Sequence, residues 1–300
     1  MNGARPSVLR LLLRDPWMAS ALGILVFLAA AAVAGPWFTG YGGNDTSPLQ
    51  LTPPSAAHWM GTDLHGRDLL TRLLLGARIS LLVGLVGALV SLVIGVAYGM
   101  VAGYAGGKTD NAMMRAVDIL YALPSLIFVI ILIAVFAQPL EHLLSRLGIG
   151  NVKEQAHLVL LFAGLGAVEW LTMARVVRGQ VLVLRELAFV QASRTLGQGT
   201  VRILIRHLLP NLTGIILVYL TLSIPAVILQ ESFLSFLGLG VQAPASSLGS
   251  LMSDGAQVIN PMRVSWWLLV FPGLFMALTL LSLNFLGDGL RDALDPRSVK

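Results

Sequence analysis

Ile79-Ser80-Leu81-Leu82-Val83-Gly84-Leu85-Val86-Gly87-Ala88-Leu89-Val90-Ser91-Leu92-Val93-Ile94-Gly95-Val96-Ala97-Tyr98-Gly99-Met100-Val101 carries no charge and thirteen Leu, Ile or Val residues. A bilayer core about 30 Å thick needs about 20 apolar residues to be crossed by a helix. At roughly 0.3–0.6 kcal/mol for each aliphatic residue at the helix centre, those thirteen favour insertion by at most about 4–8 kcal/mol. Five further runs, 17–38, 119–137, 158–174, 212–237 and 266–285, have the same apolar character. The expected fold class is therefore an all-α membrane protein with six transmembrane helices.

The whole-chain composition agrees. Of 300 residues 56% are hydrophobic and 12% charged, where a soluble chain carries about 25% charged. Mean hydropathy is +0.81. Without cysteine there is no disulfide framework, thiolate metal site or thiol nucleophile. The net charge of +5 is spread over loops, as the positive-inside rule requires, and does not point to nucleic acid.

Lys and Arg counts set the orientation. With both termini cytoplasmic, fourteen of these residues lie inside and six outside. The expected organisation is a cytoplasmic tail (1–16), a first span (17–38) and an outer loop (39–78). A core (79–286) containing a long inner loop (175–209) and a cytoplasmic tail (287–300) follow. Arginines within 5–14, an apolar run and Ala32-Val33-Ala34 imitate a signal peptide, but the run is longer than the usual 7–15 residues, so the first span is read as an anchor.

In the outer loop, 40–54 is rich in Gly, Pro, Asn and Asp. It is followed by Gly61-Thr62-Asp63 and Gly66-Arg67-Asp68. Leucines 69, 70, 73 and 74 then make one apolar face, with Asp68 and Arg72 four residues apart. This pattern predicts an amphipathic helix in the outer interface, either a lid on the bundle or a surface that receives a partner or substrate.

Several apparent motifs dissolve on inspection. Gly107-Lys108-Thr109 lacks the earlier glycine of a P-loop, since Ala102 stands there, and it follows a span rather than a strand. The five histidines are too dispersed for a metal site. Asp288, Gly289, Asp292 and Asp295 lack the ligand spacing of a calcium loop and read as glycine stops before a short helix. No G-x-S-x-G elbow is present.

Two acids interrupt apolar sequence: Glu169 beside Trp170, and Glu231 six residues after Pro225. An acid at a helix centre costs about 2.5–3.5 kcal/mol, so Glu231 should face protein or water rather than lipid. Pro225 should kink its helix. Glu231 and Pro225 thus mark a translocation path or a helix contact.

Residues 175–209 hold six arginines (175, 178, 185, 194, 202, 206) against one acid, Glu186. Residues 186–196 can form a short helix, Gly197 and Gly199 a turn, and Thr200 the cap of the next helix. Small residues at 192, 193 and 197 permit close approach to a partner.

At Gln191-Ala192-Ser193-x-x-x-Gly197 with a later Leu209-Pro210, the spacing is similar to the "EAA" loop by which permeases of bacterial ABC importers dock onto their ATPases. Gln191 replaces the motif's Glu and Ser193 its second Ala. Further motifs agree in order: the two outer-loop triplets, Gly76-Ala77-Arg78-Ile79-Ser80-Leu81, Ala102-Gly103-Tyr104-Ala105-Gly106-Gly107, Arg206-His207-Leu208-Leu209-Pro210-Asn211, Leu234-Ser235-Phe236-Leu237-Gly238-Leu239-Gly240, and Asn284 to Arg297. From about His58 to Arg297 the chain resembles the second permease subunit of the dipeptide/oligopeptide/nickel ABC importers.

That resemblance implies a type I importer permease fold in a bacterial inner membrane. It also implies a second related permease, two ATPase subunits (or one homodimer) and an extracytoplasmic solute-binding protein, with membrane lipid around the spans. ATP and Mg would sit on the ATPases, with no cofactor on this chain. The docking residues it implies are Gln191, Ala192, Ser193, Arg194 and Gly197. An ion-coupled secondary transporter is the alternative, but it would place polar residues in repeated halves, and no internal repeat is evident. A membrane enzyme would need a nucleophile, metal or acid–base constellation, which the sequence lacks.

Overall fold

The computed structural model describes residues 15–147, 152–259 and 264–294. The arginines of the 5–14 stretch, position 151, Arg263 and the Asp295-Pro296-Arg297 end of the last motif lie outside the described residues. Among the described residues six segments are long and apolar enough to cross a membrane: Pro16–Trp37, Leu69–Ala105, Ser125–Arg146, Gln155–Leu184, Thr200–Phe236 and Trp267–Ala293. They correspond one to one with the six apolar runs.

In chain order the helices are α1 (Pro16–Ala34), α2 (Leu69–Ala105), α3 (Gly107–Tyr121), α4 (Ser125–Arg146), α5 (Val152–Leu184), α6 (Ala188–Thr195), α7 (Thr200–Ile203), α8 (Leu209–Phe236), α9 (Leu248–Val258) and α10 (Trp267–Leu294). A wide turn, Leu204–Leu208, joins α7 to α8. Asp15 caps α1 by accepting the Trp17 N–H at 2.9 Å, with Pro16 fixing the first turn.

α2 departs from expectation at its start. Residues 69–74 are not a separate interfacial helix but the first turns of the second span. Asp68 caps them, accepting the Thr71 N–H at 2.8 Å. Leu69, Leu73 and Leu74 are buried. With 37 residues, α2 is about 55 Å long, so its ends project beyond the apolar core.

α2 and α5 form the central pair, and they touch through glycines. A Cβ on Gly99 would lie 2.5 Å from the Ala174 carbonyl oxygen, and one on Gly95 would lie 2.6 Å from Met173 Cβ. One turn on, a Cβ on Gly103 would meet the Arg178 carbonyl oxygen at 2.9 Å. Four-residue spacing of small side chains lets two helix backbones approach where lipid supplies no hydrophobic drive. α8 packs on the other side of α2, burying Val83, Val227 and Leu234 together with Val129 of α4. α1 and α10 close the remaining flank around Leu28, Leu73, Leu251 and Phe275.

The glycine stops expected near the chain's end do not break a helix: α10 runs through Gly287 and Gly289 to Leu294, and α8 is continuous through Pro225. Neither glycine takes a positive φ, so nothing forces a stop there, and packing on neighbouring helices sustains both elements. α3 is tied to α5 by a bidentate ion pair, Arg178 Nε and Nη2 donating to Asp110 at 2.6 and 2.7 Å. Arg175 adds a bond to Asp118 at 2.8 Å.

Candidate functional site

The basic segment folds as the end of α5, the short α6 and the entry to the fifth span. Leu187 is extended (φ −72, ψ 147), which breaks the run from α5 and lets α6 start in a new direction. At its other end Gly197 adopts φ +73. The Gly197 N–H donates to Arg194 O at 2.9 Å and the Gln198 N–H to Ser193 O at 3.1 Å. These two bonds make a Schellman cap, which needs a residue able to occupy the left-handed region. Gly199 is extended and takes no part in the turn, while Thr200 opens α7 rather than capping it.

α6 is amphipathic, and its phase sorts the expected docking residues. Val190 is fully buried and Ser193, three residues on, is only 6% exposed. Ser193 Oγ donates to the Phe189 carbonyl at 2.8 Å. Ser193 was expected to meet a partner; it faces the bundle instead. Gln191, Ala192, Thr195 and Gly197 are exposed, and Leu196 is 80% exposed. Arg194 is exposed but turned back, its Nε donating to Tyr104 Oη at 3.1 Å and its guanidinium stacked 4.4 Å above that ring. Arg185 Nη1 donates to the last-turn carbonyl of Gly103 at 2.9 Å, and Gln191 Nε2 to Arg185 O at 3.0 Å. Beneath the helix, Val190 joins Val96, Met100, Val177, Val181, Ile203 and Leu212. A short helix with a mixed outer face, Gln191, Ala192, Thr195 and Leu196, is thus packed against three spans.

The two membrane acids sit in opposite surroundings. Glu231 is 0% exposed. It accepts from Ser80 Oγ at 2.8 Å, Ser235 Oγ at 2.7 Å and Ser232 Oγ at 3.4 Å. Ser80 in turn accepts the Leu248 N–H at 3.2 Å, and Ser235 the Val241 N–H at 3.0 Å. Of the two expectations for Glu231, its position is that of a contact joining α2, α8 and α9, and Pro225 is buried nearby in α8. Glu169 is half-buried on the wall of a cavity of about 260 Å³ between the α3–α4 connection, α5 and α8, bonded to Gln230 Nε2 at 2.8 Å.

A helical bundle carrying a short basic helix, with no metal-binding cluster among the described residues, is compatible with many transporters, and similarity to known proteins narrows it. The family described as "Binding-protein-dependent transport system inner membrane component" matches residues 95–300. The chain belongs to this family. Oligopeptide transport system permease protein OppC of Haemophilus influenzae is 44% identical over 95% of this chain and 86% of its own length. Dipeptide transport system permease protein DppC of Bacillus subtilis is 45% identical, covering 93% and 81%. Among solved structures, an inward-facing form of the MetNI methionine ABC transporter shares the fold. Its TM-score is 0.53 at 21% identity, over 74% of this chain and 96% of that one.

In this inner membrane component the family match starts within α2, and the segment before it forms a cap on one end of the bundle. Its motif points inward: Thr62 is fully buried, and Asp63 and Asp68 nearly so. Asp63 accepts from the Arg67 N–H at 2.9 Å, Arg67 Nε at 2.7 Å and Arg72 Nη1 at 2.6 Å, while Arg72 also reaches Asp254 of α9 at 3.1 Å. Trp267 Nε1 donates to the Thr62 carbonyl, and His58 Nδ1 lies 2.9 Å from Asp68. Gly61 and Gly66 supply positive φ at the two bends. These residues hold the cap down, and the surface available to a partner consists of exposed side chains such as Trp59 and Leu64.

Burial acts to raise the Asp63 pKa. The Arg67 N–H, the Arg72 charge and the Arg67 guanidinium outweigh it and hold the carboxyl below its ordinary 3.8. A lowered folded pKa adds stability above the unfolded value and loses it as pH falls through the folded one. The thermal midpoint of the purified chain should therefore drop as pH falls below about 4. Asp63→Asn should lower the midpoint at pH 7 and flatten that acid limb; an unchanged acid profile would remove Asp63 from the account.

Proposed function

We propose that this chain is a permease subunit of an ATP-driven importer. With a second related permease it forms half of the path for peptides or related small solutes delivered by an extracytoplasmic binding protein. Family membership and relatives named as oligopeptide and dipeptide permeases support the transport role. The observation that carries the mechanism is α6, a short helix with Gln191, Ala192 and Leu196 outward and Val190 locked inward. ATP and Mg reside on two separate ATPase subunits, which seat α6 on their surface. When those subunits close, α6 moves as a lever, and its Arg194–Tyr104 bond, with the Gln191 bond to Arg185, whose guanidinium holds Gly103, passes that motion to the end of α2.

The charge distribution of the loops supports a cytoplasmic side for α6 and both termini and an outer side for the 39–68 cap. Since the chain has no cysteine, single cysteines test both statements. In intact cells Asn44→Cys should label with an impermeant thiol reagent and Gly199→Cys should not. Ala192→Cys should crosslink to a cysteine on an ATPase surface, with an efficiency that changes on adding nucleotide. Reversed labelling, or no ATPase crosslink anywhere along 188–197, overturns the arrangement.

A further inference from the structure

The contrast between the two membrane acids has a chemical consequence. Glu231 is enclosed and saturated by serine hydroxyls, and so has no capacity left for a ligand. Glu169 is neither enclosed nor saturated. It accepts a single bond among the described residues, on Oε1 from Gln230 Nε2 at 2.8 Å. The carboxamide that donates this bond leaves its own Oε1 buried and without a donor. Buried polar atoms are nearly always paired, and the Glu169 carboxylate, with one bond among the described residues, keeps capacity for a donor from elsewhere.

Both residues line one cavity, which also includes Leu120, Leu123, Phe128 and Leu171, although Gln230 Oε1 itself has no surface open to it. The cavity is open on one side, and an acid is excluded from lipid, so that side must face water or protein. Thr172 is on the same wall, one turn from Glu169, with its Oγ1 3.3 Å from Tyr121 Oη. Arg175, the cation farther along α5, does not meet the demand. It is bonded to Asp118 at 2.8 Å and stacked 4.1 Å over the Tyr121 ring. What fits is a compact group with several N–H donors and a positive charge, followed by an apolar body. At about 260 Å³ the space is below the roughly 300–1,000 Å³ of a pocket for a whole drug-sized ligand, so it suits the end of a longer molecule.

We propose that Glu169 and Gln230 form a transient binding site for the terminal ammonium group of a peptide passing through the membrane. Glu169 supplies the charge. Gln230 holds the carboxylate in place with its Nε2. The first side chain of the peptide lies against Leu120, Leu123 and Phe128. A weak, partly open site of this kind lets cargo enter and leave, which a saturated site could not do. The proposal rests on the importer reading above and deepens it by naming the group recognised within the path.

The test uses the assembled transporter with Thr172→Cys as its sole cysteine in this chain. Two thiosulfonate reagents of similar size are compared, one carrying an ammonium group and one neutral, each normalised to its rate with a free thiol. The ammonium reagent should be favoured about tenfold or more, the range by which a charged cleft concentrates counter-ions. Glu169→Gln should erase that preference and Glu169→Asp should retain part of it. Trialanine, supplied with binding protein and ATP, should slow labelling beside Glu169 and fail to do so in Glu169→Gln. Equal rate ratios with Glu169 and with Gln, or no reaction with either reagent, overturn the site. A preference present in the isolated chain and lost on assembly means a partner side chain fills it, which also overturns it. The importer reading fails separately, if loaded binding protein does not stimulate ATP hydrolysis in the unmodified complex.

Discussion

Glu231→Leu should leave the chain fully inserted in the membrane and yet unable to form a stable transporter. Two steps separate in a membrane protein, and this substitution acts on them with opposite sign. Insertion becomes easier, because an acid in a span costs up to the about 2.5–3.5 kcal/mol of a helix-centre position, less toward the end where Glu231 lies, and leucine favours the bilayer. Packing becomes harder, because Ser80, Ser235 and Ser232 lose their shared acceptor. Interhelical hydrogen bonds in membranes average about 0.6 kcal/mol and reach about 1.7, while a buried group left unsatisfied costs about 1–3. Two short bonds and one long one therefore amount to roughly 2–4 kcal/mol of helix association. The loss spreads further, since Ser80 and Ser235 also position the Leu248 and Val241 N–H groups. Glu231→Gln keeps one acceptor oxygen and should fall between. Carbonate extraction should show normal insertion for both variants. The detergent-solubilised complex should unfold at lower temperature in the order Leu below Gln below wild type. A Glu231→Leu complex with wild-type yield, stability and uptake would show that the serine nest contributes nothing.

The six spans were legible because each is a long apolar run, the strongest signal a sequence carries. Where the reading stopped short, the missing information was three-dimensional. Charges at Asp68, Arg72 and Arg78 suggested water and placed the start of the second span near residue 79, ten residues beyond the observed Leu69. Those charges are matched instead. Arg72 is held between Asp63 and Asp254, and Arg78 Nη2 donates to the Val33 carbonyl at the end of α1, at 2.6 Å. A pairing 182 residues apart in sequence leaves no local trace.

Other features did leave a trace. Gly95, Gly99 and Gly103 show the four-residue spacing of a close helix contact, although only the fold names Ala174 and Arg178 as what they touch. The inward turn of Ser193 also follows from helical phase, given that Val190 is the most apolar neighbour three residues away. Of the small residues at 192, 193 and 197, only Ser193 meets the bundle, while Ala192 and Gly197 stay exposed. The Glu169–Gln230 pair, 61 residues apart, could not have been found from the sequence alone.

Gly197→Val should uncouple ATP hydrolysis from transport while the spans stay inserted. The backbone at Gly197 is left-handed, with φ +73. An L-residue in this region costs roughly 1–2 kcal/mol, and a β-branched side chain resists it further. Space is not the obstacle, because a Cβ at Gly197 would meet nothing within 4 Å. The strain is relieved only by opening the cap, which releases the Arg194 and Ser193 carbonyls and unwinds the last turn of α6. Leu196, the most exposed apolar residue of that turn, then shifts away from any surface it was seated on. Nothing in the span interiors depends on this turn, so insertion and the fold of α2, α5 and α8 persist. Asparagine tolerates left-handed backbone far better than valine, so Gly197→Asn should retain most coupling and Gly197→Ala part of it. The graded series distinguishes backbone conformation from loss of a contact surface, which would penalise every side chain alike. The readouts are ATP hydrolysis stimulated by loaded binding protein and uptake into proteoliposomes. If Gly197→Val sustains both at wild-type rates, α6 does not carry the coupling, however well it is placed to do so.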